Sequence, residues 1–129
     1  MTRILGLMGC LSLLAAFAFK SQDSLQPAIQ YLDSKTHDLG KVKAEEAYRD
    51  SFMFVNKGDG PLHIERVKTA CKCLTPYWPE ELVQPGDTAA IKVEFFPTQK
   101  GDFFKSIQVH TNLPERPLQL LYVKGVVGL

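Results

Sequence analysis

The sequence has little of what most enzymes display. It contains no Gly-x-Ser-x-Gly, no His-Glu-x-x-His, no phosphate-binding glycine loop and no Cys-x-x-Cys. Serine-hydrolase, zinc-protease, nucleotide and thioredoxin-type chemistry therefore have no motif to rest on. Acidic residues are scattered over turns and strand faces, so no carboxylate pair offers itself, and no base is placed beside a cysteine nucleophile. Neither sign of charge is in excess, with 15 Lys and Arg against 14 Asp and Glu. That balance leaves no basic face to neutralise nucleic-acid phosphates. Nor is there a polybasic segment to hold a folded domain on an anionic bilayer. Past residue 20 no segment keeps helical periodicity over three turns, which excludes a helical domain.

What is present begins with a leader. Arg3 precedes an uncharged apolar run over residues 4–19, and Ala16-Phe17-Ala18 places small residues ahead of the polar Lys20-Ser21-Gln22-Asp23-Ser24. This is the layout of a secretory signal peptide, expected to occupy residues 1–18 and to be removed. One alternative is an uncleaved anchor, since the run approaches the roughly 18–20 residues that span a bilayer. Another is lipidation, because Leu7-Met8-Gly9-Cys10 resembles a lipobox, although Cys10 interrupts the apolar run instead of closing it. Residues 19–27 read as a polar tether and residues 28–129 as one domain, long enough to bury a modest core. Export places that domain in the periplasm or cell envelope. Membrane contact is then expected only through an uncleaved or lipidated N-terminus.

The domain alternates short apolar–polar segments with turns. Residues 29–32 and 36–42 read as strands, and the clearest strand covers residues 48–56, where Tyr48, Phe52 and Phe54 share one parity. Asn56-Lys57-Gly58-Asp59-Gly60-Pro61 is dense in turn formers. Leu62, Ile64 and Val67 open the next strand. Pro76, Pro79 and Pro85 then exclude a central strand or long helix over residues 75–85, and Pro76 is expected to end regular sheet. Gln84-Pro85-Gly86-Asp87 fits a type II turn. Ala89, Ile91, Val93 and Phe95 alternate with polar or small neighbours, as do Phe103, Ile107 and Val109, and Leu121, Val123 and Val127 mark a last strand. Phe52, Phe54, Ile91, Val93, Ile107, Val109, Leu121 and Val123 are the expected shared core. About seven strands at regular spacing predict an all-β, immunoglobulin-like sandwich, with a closed barrel as the alternative.

Several landmarks recur in a recognisable order. They are His37-Asp38-Leu39-Gly40, Phe52-x-Phe54-x-Asn56-x-Gly58, Pro61-Leu62, Ala70-Cys71-Lys72-Cys73, Pro85-Gly86-Asp87, Gly101-Asp102-Phe103, Thr111-Asn112 and Lys124-Gly125-Val126-Val127. Together they resemble the bacterial family called domain of unknown function 1573, akin to Hydin-type and major-sperm-protein-like immunoglobulin folds. The resemblance implies the sandwich and assigns no reaction. Lys72 stands where that family often carries glycine, which bears on any turn that would need glycine between the sulfurs.

Cys71-Lys72-Cys73 is the one chemically pointed feature, and three readings compete. The cysteines can be small apolar residues packed at a strand end. They can form a disulfide, which requires a bent backbone because residues two apart on a strand hold their Cβ atoms roughly 7 Å apart. Closing so short a span would make the bond strained and open to redox chemistry. They can instead bind copper or share zinc as two thiolates, with His63 as third ligand and His37 or His110 less readily placed. Taken singly, the histidines read as exposed strand residues. Tyr77-Trp78-Pro79 carries the lone tryptophan in a proline-flanked loop, a pattern enriched at interfaces. The resulting expectation is an exported, non-enzymatic module that binds a protein or cell-envelope component, with no nucleic acid among its partners. The alternative is a periplasmic copper or thiol-redox protein acting through Cys71 and Cys73.

Overall fold

The computed structural model describes Gly6 and residues 25–128. The rest of the expected leader, Cys10 included, and most of the expected tether lie outside the described residues. Period-two segments become strands β1 (Ile29–Tyr31), β2 (Thr36–Lys43), β3 (Tyr48–Asn56), β4 (Ile64–Thr69), β5 (Leu74–Tyr77), β6 (Thr88–Phe95), β7 (Gly101–Thr111) and β8 (Leu118–Gly128). They form two four-stranded sheets, ordered β1-β3-β6-β5 and β2-β8-β7-β4. Two separate sheets with free edges make this an immunoglobulin-like sandwich and not a closed barrel. All pairings are antiparallel except β2 with β8.

Each sheet buries one face. Phe52 and Phe54 of β3 with Ile91 and Val93 of β6 meet Ile107 and Val109 of β7 with Leu121 and Val123 of β8, all fully or almost fully buried. Register pairs Phe52 with Ile91 and Ile107 with Leu121, so the large side chains stack across each sheet. Burying each contributes about 1.5–3 kcal/mol. Gly125 is required where β8 passes Phe103, since a Cβ there would sit 2.8 Å from the ring and 2.6 Å from the Gly40 carbonyl.

Pro76 does not end regular sheet. It lies inside β5, opposite Val93, and is tolerated because β5 is an edge strand whose outer side needs no ladder donor. That strand raises the count from the expected seven to eight. Leu62 pairs only through a bridge to Val83, with reciprocal bonds of 2.9 and 2.8 Å, and β4 begins two residues later. The type II turn forms as expected: Asp87 donates its N–H to the Gln84 carbonyl at 3.0 Å, and Gly86 has φ of 86°.

One pole of the sandwich is organised by Asn56, which is fully buried. Its Nδ2 donates to the carbonyls of Gly60 at 2.8 Å and Val83 at 2.9 Å. Its Oδ1 accepts from the backbone N–H groups of Gly58 at 3.0 Å and Ala28 at 3.3 Å. Its own N–H donates to the Asp87 carbonyl, and its carbonyl accepts from Gly86 N–H. The end of the tether is gripped here as well. Gln26 N–H donates to Asp59 Oδ1 at 2.7 Å, and a Cβ on Gly58 would overlap the backbone of Gln26 and Ala28. Asn56→Ala strands the buried Gly60 carbonyl and the amides of Gly58 and Ala28, and leaves the Val83 carbonyl with Leu62 N–H as its one donor; each unmet group carries a desolvation penalty. The variant is expected to lose about 3–5 kcal/mol, read as a lower urea midpoint at unchanged slope.

Candidate functional site

At the opposite pole the chain crosses from one sheet to the other. β4 ends at Thr69, β5 starts at Leu74, and Cys71-Lys72-Cys73 forms the turn between them. Leu74 N–H donates to the Cys71 carbonyl at 3.1 Å, closing the turn. Thr69 Oγ1 lies 3.0 Å from the Cys71 carbonyl and 2.9 Å from that of Leu74, so its single proton is shared between them. Phe96 N–H donates to the Cys73 carbonyl at 2.8 Å and ties the turn to the end of β6. The bend brings the two Cα atoms to 5.1 Å, and Cys71 and Cys73 are joined by a disulfide. Lys72 keeps an ordinary negative φ, so this turn has no need of glycine between the sulfurs. Both cysteines are half-buried and line a cavity of about 380 Å³ with Phe95, Phe103, Lys100 and Lys105.

His63 is not brought to them. It precedes the first residue of β4 while the cysteines follow its last, a separation of roughly 20 Å along an extended strand. Its backbone is occupied at the Asn56 pole, donating to Asn112 Oδ1 at 2.8 Å and accepting from Asn112 N–H at 3.2 Å. Among the described residues no cluster of three or more His, Cys, Asp or Glu is arranged to hold a metal ion. Tyr77 and Trp78 are placed differently from one another. Tyr77 is exposed on the outer face of the first sheet near Met53 and Ala90, whereas Trp78 turns to pack against the core.

A second exposed apolar surface lies on the other sheet. On the outer face of the second sheet, Leu118, Leu120 and Tyr122 follow one another at period two along β8, and Val126 resumes the row after the exposed Lys124. Phe104 of β7 stacks on Tyr122 with ring centroids 5.0 Å apart. Phe104 is 61% exposed, and Leu118, Leu120 and Val126 are 40–45% exposed. The signal was present in the sequence. Residues 118–127 run Leu-Gln-Leu-Leu-Tyr-Val-Lys-Gly-Val-Val with apolar residues at both parities, the pattern of a strand covered on both faces.

The family model described as Protein of unknown function (DUF1573) matches residues 31–127. The chain belongs to this family. No curated protein matches it. Among solved structures, a protein of unknown function from Porphyromonas gingivalis W83 superposes with a TM-score of 0.70 at 22% identity, over 80% of this chain and 48% of that one. This chain thus spans about half the length of that relative. The ASH/PapD-like domain 7 of human CEP192 gives a TM-score of 0.61 at 11% identity, over 81% of this chain and 86% of that one. VesB protease of Vibrio cholerae gives 0.60 at 7% identity, over 79% and 32%. At these identities the likeness is one of fold.

Within this DUF1573 chain, His37 departs from the exposed strand histidine expected. It sits on β2 of one sheet, yet its ring stacks on Phe52 of the other at 3.9 Å. Nδ1 lies 2.6 Å from Asp50 Oδ2. Nε2 is 3.3 Å from Asp33 Oδ1, within reach of charge attraction but poorly aligned for a hydrogen bond. Burial works against protonation, but the hydrogen bond and charge of Asp50, with the charge of Asp33, outweigh it and hold the pKa above the ordinary 6.5. A raised folded-state value contributes stability that is complete below 6.5 and is lost as pH rises through the folded value. Unfolding free energy of the wild type is expected to fall from pH 6.5 upward, while His37→Gln shows no such decline in denaturant titrations across that range.

The disulfide encloses too short a span to restrict the unfolded chain strongly. Loop-closure entropy for three residues comes to about 1.6 kcal/mol, roughly half that of a fifteen-residue loop. The Cys71→Ser, Cys73→Ser double variant is expected to lose no more than about 2 kcal/mol and to keep its fold, measured by urea midpoint and circular dichroism.

Proposed function

We propose that this chain is an exported, non-enzymatic immunoglobulin-like module that binds a protein or envelope component through the outer face of the β2-β8-β7-β4 sheet. The observation that carries the reading is the apolar row on β8 with the Phe104–Tyr122 stack beside it. A strand apolar on both faces is a strand with two surfaces to cover, and the sandwich covers only one. Exposed Arg66 and Lys68 of β4 flank the row and Lys124 of β8 interrupts it before Val126, so an apolar centre over Leu118, Leu120, Phe104 and Tyr122 is bordered by charge, as is common at protein-binding surfaces. Export is supported by the leader-like residues 1–18.

A photocrosslinking residue at position 104, introduced in cells that express the chain natively, tests the face directly. Discrete adducts are expected from position 104 and from position 120, and none from position 75 on the other sheet. Adducts at position 77 with none at 104 would move the binding surface to the Tyr77 side and end this assignment. The Phe104→Ser, Tyr122→Ser variant should keep its urea midpoint within about 1 kcal/mol of wild type, since both side chains lie outside the core, while losing the adduct formed at position 120.

A further inference from the structure

The Cys71–Cys73 disulfide serves no evident structural purpose, because the turn that carries it is held without it. The Leu74-to-Cys71 backbone bond, the Thr69 hydroxyl and the Phe96-to-Cys73 bond hold it, and none of them uses a sulfur. The bond instead forms part of the wall of an open cavity of about 380 Å³. The far wall is preset by Phe95 and Phe103, whose rings pack at 4.6 Å. We propose that this is a thiol–disulfide exchange site, taking two electrons from a protein dithiol whose cysteine enters the cavity.

The two sulfurs are not equivalent. Cys73 N–H lies 3.1 Å from Cys71 Sγ and donates to it, so a thiolate released at Cys71 inherits a hydrogen bond already in place. Lys100 and Lys105 line the same cavity and favour a thiolate over a thiol, with Asp102 the one carboxylate among its lining residues. Cys71 is therefore the leaving sulfur and Cys73 the one attacked. The incoming thiolate forms a new bond to Cys73 Sγ as the Cys71–Cys73 bond breaks, and the electron pair of that bond departs on Cys71 Sγ. The partner's second thiolate then attacks its own sulfur in the mixed disulfide and releases Cys73 as thiolate. The chain ends as a dithiol and the partner as a disulfide, with the two protons of the partner's thiols taken up by the new thiols or by solvent. The lysines select a partner with acidic groups beside its reactive cysteine. This site is independent of the docking face on β8.

Reduced glutathione, an anionic thiol, probes the first step on the full chain in mild detergent. The reaction is quenched by alkylation and mapped by peptide mass spectrometry, which also separates Cys10 from the pair. Glutathione is expected on Cys73, with alkylated Cys71, in at least tenfold excess over the reverse. Lys100→Gln, Lys105→Gln should slow the reaction about three- to tenfold at low salt, with the difference vanishing at high salt and the melting temperature unchanged. Reduction should leave the circular dichroism spectrum unaltered. A bond that resists glutathione until the chain is denatured, an even distribution of adduct over the two sulfurs, or a rate indifferent to the lysines would each overturn the proposal.

Discussion

The architecture hangs on the buried amide of Asn56. A primary amide offers two donors and an acceptor oxygen with two lone pairs, and here all of them are spent on backbone groups from different segments. Such a group is costly to bury unsatisfied and directional when satisfied, so it fixes geometry as hydrophobic contact cannot. Through it the chain entering β1, the loop leaving β3 and the bridge at Val83 converge on one point. The turn before β6 joins them through the backbone of Asn56 itself. The rest of the sandwich is built outward from this pole.

The consequence lies at the other pole. β4 and β6 both run away from the Asn56 end, and both finish beside the Cys71–Cys73 turn. Because the strands are aligned at their origin, the crossover between sheets can remain a short bend with a cavity beside it. A buried hydrogen-bond network occupies one end and a half-buried disulfide the other. His37 acts between the poles, where its ring spans the two sheets from β2 to Phe52 and Asp50 of β3.

Much of this was legible because burial in a sandwich follows parity. Every core position expected from period-two alternation is buried, from Phe52 to Val123. Parity says nothing, however, about which strand lies beside which. The parallel pairing of β2 with β8 and the placement of β5 at an edge depend on long-range register, so Pro76 was read as a stop where an edge strand accepts it. The same blindness affected the site. The Cys-x-Cys spacing leaves packed cysteines, a disulfide on a bent backbone and a metal clamp all open, and sequence separation cannot reveal that His63 and the cysteines lie beyond opposite ends of β4. His37 was read as a surface residue because its partners, Asp33 and Asp50, come from the β1–β2 connection and another sheet. The β8 face is hidden for a different reason: inward parity alone accounts for Leu121, Val123 and Val127, and the apolar residues between them belong to a second surface.

The two surfaces are related through the strands they share. β7 alternates its side chains about the plane of its sheet, so Phe104 stands on the outer face while Phe103 and Lys105 line the cavity by the disulfide. On β8, Val126 points outward and Val127 lines the cavity in the same way. The apolar row therefore reaches the cysteine pole at its Val126 end, and it reaches the Asn56 pole at its Leu118 end, where β7 and β8 turn. A partner seated on the Phe104–Tyr122 stack lies across one sheet's thickness from the cavity that Lys100 and Lys105 line. Association on the face and exchange at the sulfurs use separate residues, so either can operate alone. Their closeness, however, follows directly from the alternation of a single strand.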